Sequence, residues 1–225
     1  MMVPVRRWTS VFVVLLSACG SSEPSLASIV SVTPQRVSAS ECVLLTVQLD
    51  RPLPVRLDYG KDSAELVDLT RVSIADRDIP VLSIQDQGRR LVTDVSAGLA
   101  QGTHDVSVTL KDGQRVVLPD ALEVTAPLVL ETFRFDPIVN QIRHEPFMMT
   151  IRASGQDAAL FQGRVRLRSN RGELQPTWSA PFVNGVLTQQ VTIDDTGGNN
   201  LFIEMTDCAG RTVNSNEFRL DSRAP

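Results

Sequence analysis

Apolar and polar residues alternate in short runs along most of the chain, a period-2 signature that predicts strands. Val43, Leu45, Val47 and Leu49 alternate with Leu44, Thr46 and Gln48. Ile29 to Val32 forms a shorter run ended by Thr33-Pro34, and Val55, Leu57 and Tyr59 another, stopped by Gly60. Ile79 to Ile84 and Leu91 to Val95 are less regular candidates. Val106, Val108 and Leu110 face Val116 and Leu118 across Lys111-Asp112-Gly113-Gln114, where the Asp-Gly pair predicts a hairpin turn. Leu122 and Val124 close this first group.

A second group begins after Ala126-Pro127. Phe133 and Phe135 alternate before Asp136-Pro137, and Phe147, Met149 and Ile151 alternate with Met148, Thr150 and Arg152. Val165 and Leu167 alternate with arginines, and Phe182-Val183-Asn184-Gly185 turns into Val186 to Ile193. A polar Gly/Asn loop, Asp194 to Asn200, leads to Leu201, Ile203 and Met205, with Val213, Phe218 and Leu220 at the end. Turns recur every 8–12 residues or so, the spacing of a β-sandwich, and neither group predicts a helix of note. The expected fold is all-β, two tandem sandwiches at 28–126 and 127–225.

The first 27 residues follow another pattern. Arg6 and Arg7 precede the apolar run Trp8 to Leu16, which has the length of a secretory signal and is too short to span a bilayer. The small residues Ser17 and Ala18 stand directly before Cys19, and Leu16-Ser17-Ala18-Cys19-Gly20 resembles the lipobox of bacterial lipoproteins. That resemblance implies diacylglycerol transfer to the Cys19 thiol, cleavage of residues 1–18 as a signal peptide, and acylation of the new N-terminus. The plainer alternative is an ordinary secretion signal with a chance cysteine. Several acyl chains on one residue would anchor it stably, since each buried methylene contributes about 0.8 kcal/mol. Gly20, where inner-membrane lipoproteins carry Asp, implies an outer-membrane location in the bacterial envelope. Residues 19–27 read as the lipidated cysteine and a tether; the eight from Gly20 to Ala27 reach at most about 26 Å.

Charge narrows the partners. The chain carries 22 basic and 26 acidic residues, and loss of Arg6 and Arg7 with the signal takes the formal charge from −4 to −6. Only Lys61 and Lys111 are lysines, and neither sandwich is basic, so nucleic acid is not an expected partner.

Family resemblance adds to the strand pattern. SIVSVTP at the start of the first group, LDYG near Tyr59-Gly60, and LAQGTHDVSVTLKDGQ followed by ALEVT resemble the Ig-like fold of plexins and transcription factors known as IPT/TIG, over Ser28 to Thr125. Glu41-Cys42 departs from it, because that family usually has a glycine ahead of the second strand. FQGRVRLRSN, APFVNGVLTQQVTI and DCAGRTVNSNEFRL resemble bacterial Ig-like repeats of secreted and surface proteins.

Catalytic chemistry finds little support. The two histidines, His104 and His144, lie in different modules without cysteine or carboxylate at metal-ligand spacing, and no nucleophile-elbow pattern accompanies the serines. Neither catalytic residues nor a cofactor is expected. Asp194-Asp195 with Asn199-Asn200 offers oxygen ligands for calcium but lacks the spaced acidic series of a calcium loop, so a solvated turn is expected and no metal site is assigned. Arg164, Arg166 and Arg168 fall on one face of a strand, with Arg171 close behind. They form either a cationic ladder for an anionic polysaccharide or acidic partner, or an exposed face paired with acids such as Glu131 or Glu173.

With Cys19 acylated, Cys42 and Cys208 make an even count in a compartment that permits disulfides. In an Ig-type sandwich the corner between the first two strands lies at the C-terminal pole, and the hairpin between the last two at the N-terminal pole. Cys42 enters the second strand of the first module, and Cys208 sits in the final hairpin of the second, so both should face Ala126-Pro127. An interdomain Cys42–Cys208 bridge and two separate buried thiols are the two readings. Function is expected to be non-catalytic: a lipid-anchored envelope scaffold or adhesion module for a protein partner, with polysaccharide binding through the arginine face as the alternative.

Overall fold

The computed structural model describes residues 27–53, 55–58, 63–66, 69–110 and 113–221. Residues 1–26, which include the run expected to be a signal, Cys19 and most of the expected tether, lie outside the described residues, as do Tyr59-Gly60 and the residues Lys111-Asp112 of the expected turn.

The first sandwich comprises β1 (Ile29–Thr33), β2 (Arg36–Ser38), β3 (Val43–Leu49), β4 (Val55–Asp58), β5 (Ser63–Leu66) and β6 (Leu69–Ile74). It continues with β7 (Arg77–Ile79), β8 (Val81–Gln85), β9 (Arg90–Val95), β10 (Gly102–Leu110) and β11 (Arg115–Thr125). A four-stranded sheet in the order β1-β3-β9-β8 faces a five-stranded sheet in the order β2-β11-β10-β6-β7, while β4 and β5 pair separately. All pairings are antiparallel except β2 with β11, so the chain crosses from one sheet to the other between β1 and β2. The alternation in β3 explains the core: Val43, Leu45, Val47 and Leu49 are buried and pack with Val72, Ile74, Leu91, Val106 and Leu122.

The predicted hairpin has the register Val106↔Leu118 and Val108↔Val116. β6, which the alternation did not single out, is an interior strand between β10 and β7. Its sequence LTRVSI sets Val72 and Ile74 inward around Ser73, too short a run to stand out.

The second sandwich comprises β12 (Thr132–Phe135), β13 (Gln141–Ile142), β14 (Phe147–Ser154), β15 (Arg166–Ser169) and β16 (Glu173–Gln175). β17 (Val186–Asp194), β18 (Gly198–Leu201), β19 (Ile203–Thr206), β20 (Thr212–Asn214) and β21 (Phe218–Asp221) complete it. One sheet runs β12-β14-β17-β16; opposite it stand two three-stranded pieces, β13-β21-β18 and β15-β19-β20. Only Phe202 separates β18 from β19, and Ser215 to Glu217 separate β20 from β21, so the pieces are successive parts of one bent surface. Asn216 holds the bend: its Oδ1 accepts the Ile138 N–H at 2.8 Å and its Nδ2 donates to the Ile138 carbonyl at 2.8 Å.

β18 occupies part of the stretch expected to be a polar loop, because Gly198 and Leu201 pair with β21 despite the two asparagines between them. Phe133, Phe161 and Phe182 meet edge to face at centroid distances of 4.9 to 5.8 Å in the core. Asn184 and Gly185 both have positive φ, and Val183 and Val186 exchange two backbone hydrogen bonds around them, the two-residue hairpin loop that an Asn-Gly pair favours. Among the described residues the helical structure consists of two single 3₁₀ turns, Asp86–Gly88 and Ala158–Leu160. The strand order and the two separate cores make the molecule a tandem of Ig-like β-sandwiches.

Candidate functional site

Long-range polar contacts join the two sandwiches where they meet. Cys42, just ahead of β3, and Cys208, in the turn between β19 and β20, form a disulfide across 166 residues of sequence, with Cα atoms 5.7 Å apart. Topology had brought both to the junction, and the alternative of two separate thiols is set aside.

Glu41 works beside the disulfide. It is buried, and its Oε1 accepts the Gln162 N–H at 2.7 Å and the Gly163 N–H at 2.8 Å, while Oε2 accepts the Ser38 N–H at 3.2 Å. A charged acceptor taking backbone donors is a strong form of hydrogen bond, and a buried carboxylate is tolerated only when satisfied in this way. The Arg164 N–H then donates to the Cys42 carbonyl at 2.7 Å, extending the contact along the chain. Gly163 permits the approach, since a Cβ there would meet the Phe161 ring at 3.1 Å and the Glu41 Cβ at 3.2 Å. The linker joins in: Ser40 Oγ accepts the Leu128 N–H and Ser38 Oγ donates to the Ala126 carbonyl, both at 3.2 Å.

The turn carrying Cys208 is fixed from its own side. Asp207 accepts the Arg211 N–H at 2.7 Å and its Nε at 2.8 Å, and Arg211 Nη1 donates to the Leu130 carbonyl at 3.0 Å. Sequence reasoning recognised Cys42 and Cys208 but gave Glu41 no role, since its partners Gln162 and Gly163 lie more than a hundred residues away.

Of the three arginines expected to share one strand face, Arg166 and Arg168 lie exposed on β15. Arg164 precedes the strand and is diverted to the junction: its Nε donates to the Ser179 carbonyl at 2.9 Å, its guanidinium lies 5.3 Å over the Trp178 ring, and its Nη1 stands 3.9 Å from Asp94 of the first sandwich. Arg168 forms a two-pronged ion pair with Glu204, the residue opposite it on β19, which holds the guanidinium above its ordinary pKa. Arg171 donates to Asp195 at 2.9 Å and to the Gly197 carbonyl at 3.2 Å. The three strand arginines and Arg171 therefore do not form the expected ladder, and the acids beside them are Asp94, Glu204 and Asp195 rather than Glu131 or Glu173. Cross-strand register and loop closure decide this, and neither can be read from nearness in sequence.

Asp195 explains the fate of the polar loop. Burial pushes its carboxyl up, but the Gly197 N–H and the Arg171 guanidinium outweigh that and hold it below the usual carboxylate range. Its oxygens are thus committed to protein donors. No group of three potential metal-ligating side chains occurs among the described residues. His104 Nε2 lies 2.6 Å from the Ala100 carbonyl, and the half-exposed His144 pairs with Asp194 at 3.2 Å.

Between the sandwiches, alongside the disulfide and Glu41, runs a cleft of about 670 Å³ lined by β2, the start of β3 and the segments around Leu160 and Val183. No described helix is long and apolar enough to cross a membrane.

No family model matches the chain, and no curated protein matches it in sequence. Among solved structures, the D0-D1 domain of intimin aligns over 85% of this chain and 97% of its own at 11% identity, with a TM-score of 0.34. The Yersinia pseudotuberculosis adhesin InvE aligns over 87% of this chain and 58% of its own at 14% identity and a TM-score of 0.37. The Clostridium thermocellum CbhA fibronectin(III)-like modules align over 88% and 94% at 15% identity and a TM-score of 0.27. Likenesses this distant say nothing of ligands, and the fold stands on strand order and the two cores.

Proposed function

We propose that this chain is a non-catalytic interaction protein of the bacterial envelope, anchored through an acylated Cys19 after loss of residues 1–18, with 19–27 as tether and modules at 28–126 and 127–225. The observation that carries the reading is the Cys42–Cys208 disulfide. Disulfides persist in exported proteins, which supports the N-terminal run as a signal, and this one uses two of the three cysteines, leaving Cys19 as the thiol available for acylation. A disulfide between modules suits a spacer that presents a surface at a set distance and angle from a membrane. Gly20 after Cys19 favours the outer membrane, and the IPT/TIG-like character of the first module fits a binding rather than a catalytic role.

Intact mass spectrometry of protein extracted from membranes tests this reading. A mature chain beginning at an acylated Cys19 and release of Cys19→Ser into the soluble fraction are expected. An unmodified Cys19, or a different mature start, refutes the anchored platform.

A second reading, binding of an anionic polysaccharide by the β15 face, is favoured by Arg166, which is exposed and has no ion-pair partner among the described residues. Salt-sensitive retention on an anionic polysaccharide matrix, lost in Arg166→Glu, is its expected outcome.

A further inference from the structure

The cleft between the sandwiches has apolar walls from both modules. Pro34, Val37 and Leu44 line it from the first module, and Leu160, Pro181 and Val183 from the second. Leu160 is 62% and Val183 69% exposed, although both are large apolar side chains. Of its two charged residues, Glu41 is buried and accepts three backbone donors, while Arg36 stands exposed at the rim with two 2.9 Å hydrogen bonds to Glu123. With the one carboxylate buried and the one guanidinium already paired at the rim, the apolar walls favour an uncharged, apolar occupant over a phosphate or an acidic sugar.

One wall is also a sheet edge. β2 ends the five-stranded sheet, and its Gln35 carbonyl and Ala39 N–H are turned toward β11, bonding Glu123 and Thr125. In a parallel ladder alternate residues point their backbone groups to opposite sides, which leaves the Arg36 N–H and C=O facing away from β11. An edge strand beside apolar depressions is the arrangement by which extended peptides are recognised, the backbone supplying hydrogen bonds and the depressions taking alternate side chains. The volume lies within the range of ligand sites, about 300–1,000 Å³. The cleft is continuous with the contact between modules, and the disulfide and Glu41 hold its two walls in place before anything binds.

We propose that this cleft docks an extended segment of a protein partner, paired with β2 at Arg36, since Glu41 takes up the Ser38 backbone groups, with alternate apolar side chains inserted toward Leu160 and Val183. The proposal rests on the interaction role argued above and names the surface that performs it.

The test uses the secreted, disulfide-intact full chain with Cys19→Ser and fluorescein-labelled heptapeptides that alternate leucine or valine with threonine. Saturable binding is expected, weakened at least tenfold by Val183→Asp and by Leu160→Asp and unchanged by Arg166→Glu. Both substituted residues are exposed, and circular dichroism melts confirm that the variants fold. Absence of saturable binding by any peptide, or binding indifferent to both cleft substitutions, overturns the proposal. So does binding of dodecanoate with that same sensitivity while the peptides fail, which would assign the cleft to a lipid chain. Photocrosslinking in cells separates the two levels of inference: crosslinks to an envelope protein from position 166 but not from 183 overturn the cleft and leave the interaction role standing.

Discussion

Arg164 and Arg168 stand four residues apart on one stretch of chain, yet they occupy opposite regimes. At the junction the Arg164 side chain is 11% exposed, stacks on Trp178 and bonds a backbone carbonyl, while on the open β15 face the Arg168 side chain is 70% exposed beside Glu204. The same contrast separates Glu41, buried against three backbone donors, from Glu123, paired with Arg36 in solvent. The buried Glu41 and Arg164 stand where the modules meet and are costly to disturb, whereas the exposed Arg36–Glu123 and Arg168–Glu204 pairs lie within a module and are screened by water.

The largest effect should come from the disulfide. Replacing both Cys42 and Cys208 by serine returns to the unfolded chain loop-closure entropy worth at most about 5 kcal/mol for so long a loop. With two modules the loss appears as a single calorimetric transition resolving into two, with a broader range of interdomain distances in small-angle scattering. A single unchanged transition would show that the remaining contacts hold the junction alone.

Glu41→Ala comes next. It leaves the Gln162 and Gly163 N–H groups at a buried contact without their acceptor, a loss of roughly 2–3 kcal/mol in denaturant unfolding. Glu41→Gln, which keeps one acceptor oxygen, should lose less. Equal midpoints for Glu41→Ala and the parent chain would put Glu41 in the same class as the exposed acids.

Acid should act more mildly. The Asp50, Glu123, Asp136 and Asp195 carboxyls are all held below their ordinary values, the first by the Ser28 N–H, the next two by Arg36 and Arg152, and Asp195 by Gly197 and Arg171 against its burial. A carboxyl depressed in the folded state adds stability that is complete above its unfolded value, near pH 4, and is lost as pH falls through the lower folded value. Melting temperature should be flat from neutral pH to about 4.5 and decline below about 4, with the decline reduced in Asp195→Asn.

The smallest effect belongs to the open face. Arg168→Ala should leave the melting midpoint unchanged within error, and a clear drop would mean that the β15 face is covered by something in the folded protein.

Much of the architecture was legible because burial on one face of a strand forces alternation. Val43 to Leu49, Phe147 to Ile151 and the Val106–Leu118 hairpin emerge where the period predicts them. The β6 strand and the β18 pairing were not legible, since a six-residue run interrupted by serine and a Gly-Asn-Asn stretch carry weak local signals and are held by neighbours distant in sequence. The disulfide was reachable from sequence because the poles of a sandwich follow from strand count.

By itself, then, the sequence determined the all-β character and the two-module plan and placed Cys42 and Cys208 at one junction, consequences of period, turn chemistry and topology; that the two are bonded came from the structure. Only the tertiary structure decided that Glu41 clasps the second module, that Arg164 leaves its strand mates for the junction, and that a cleft opens between the walls they fix. Those outcomes depend on which backbone donors and side chains come within about 3 Å of one another across more than a hundred residues of chain, and hydrogen-bond geometry at that range leaves no periodic trace in the residues that make it.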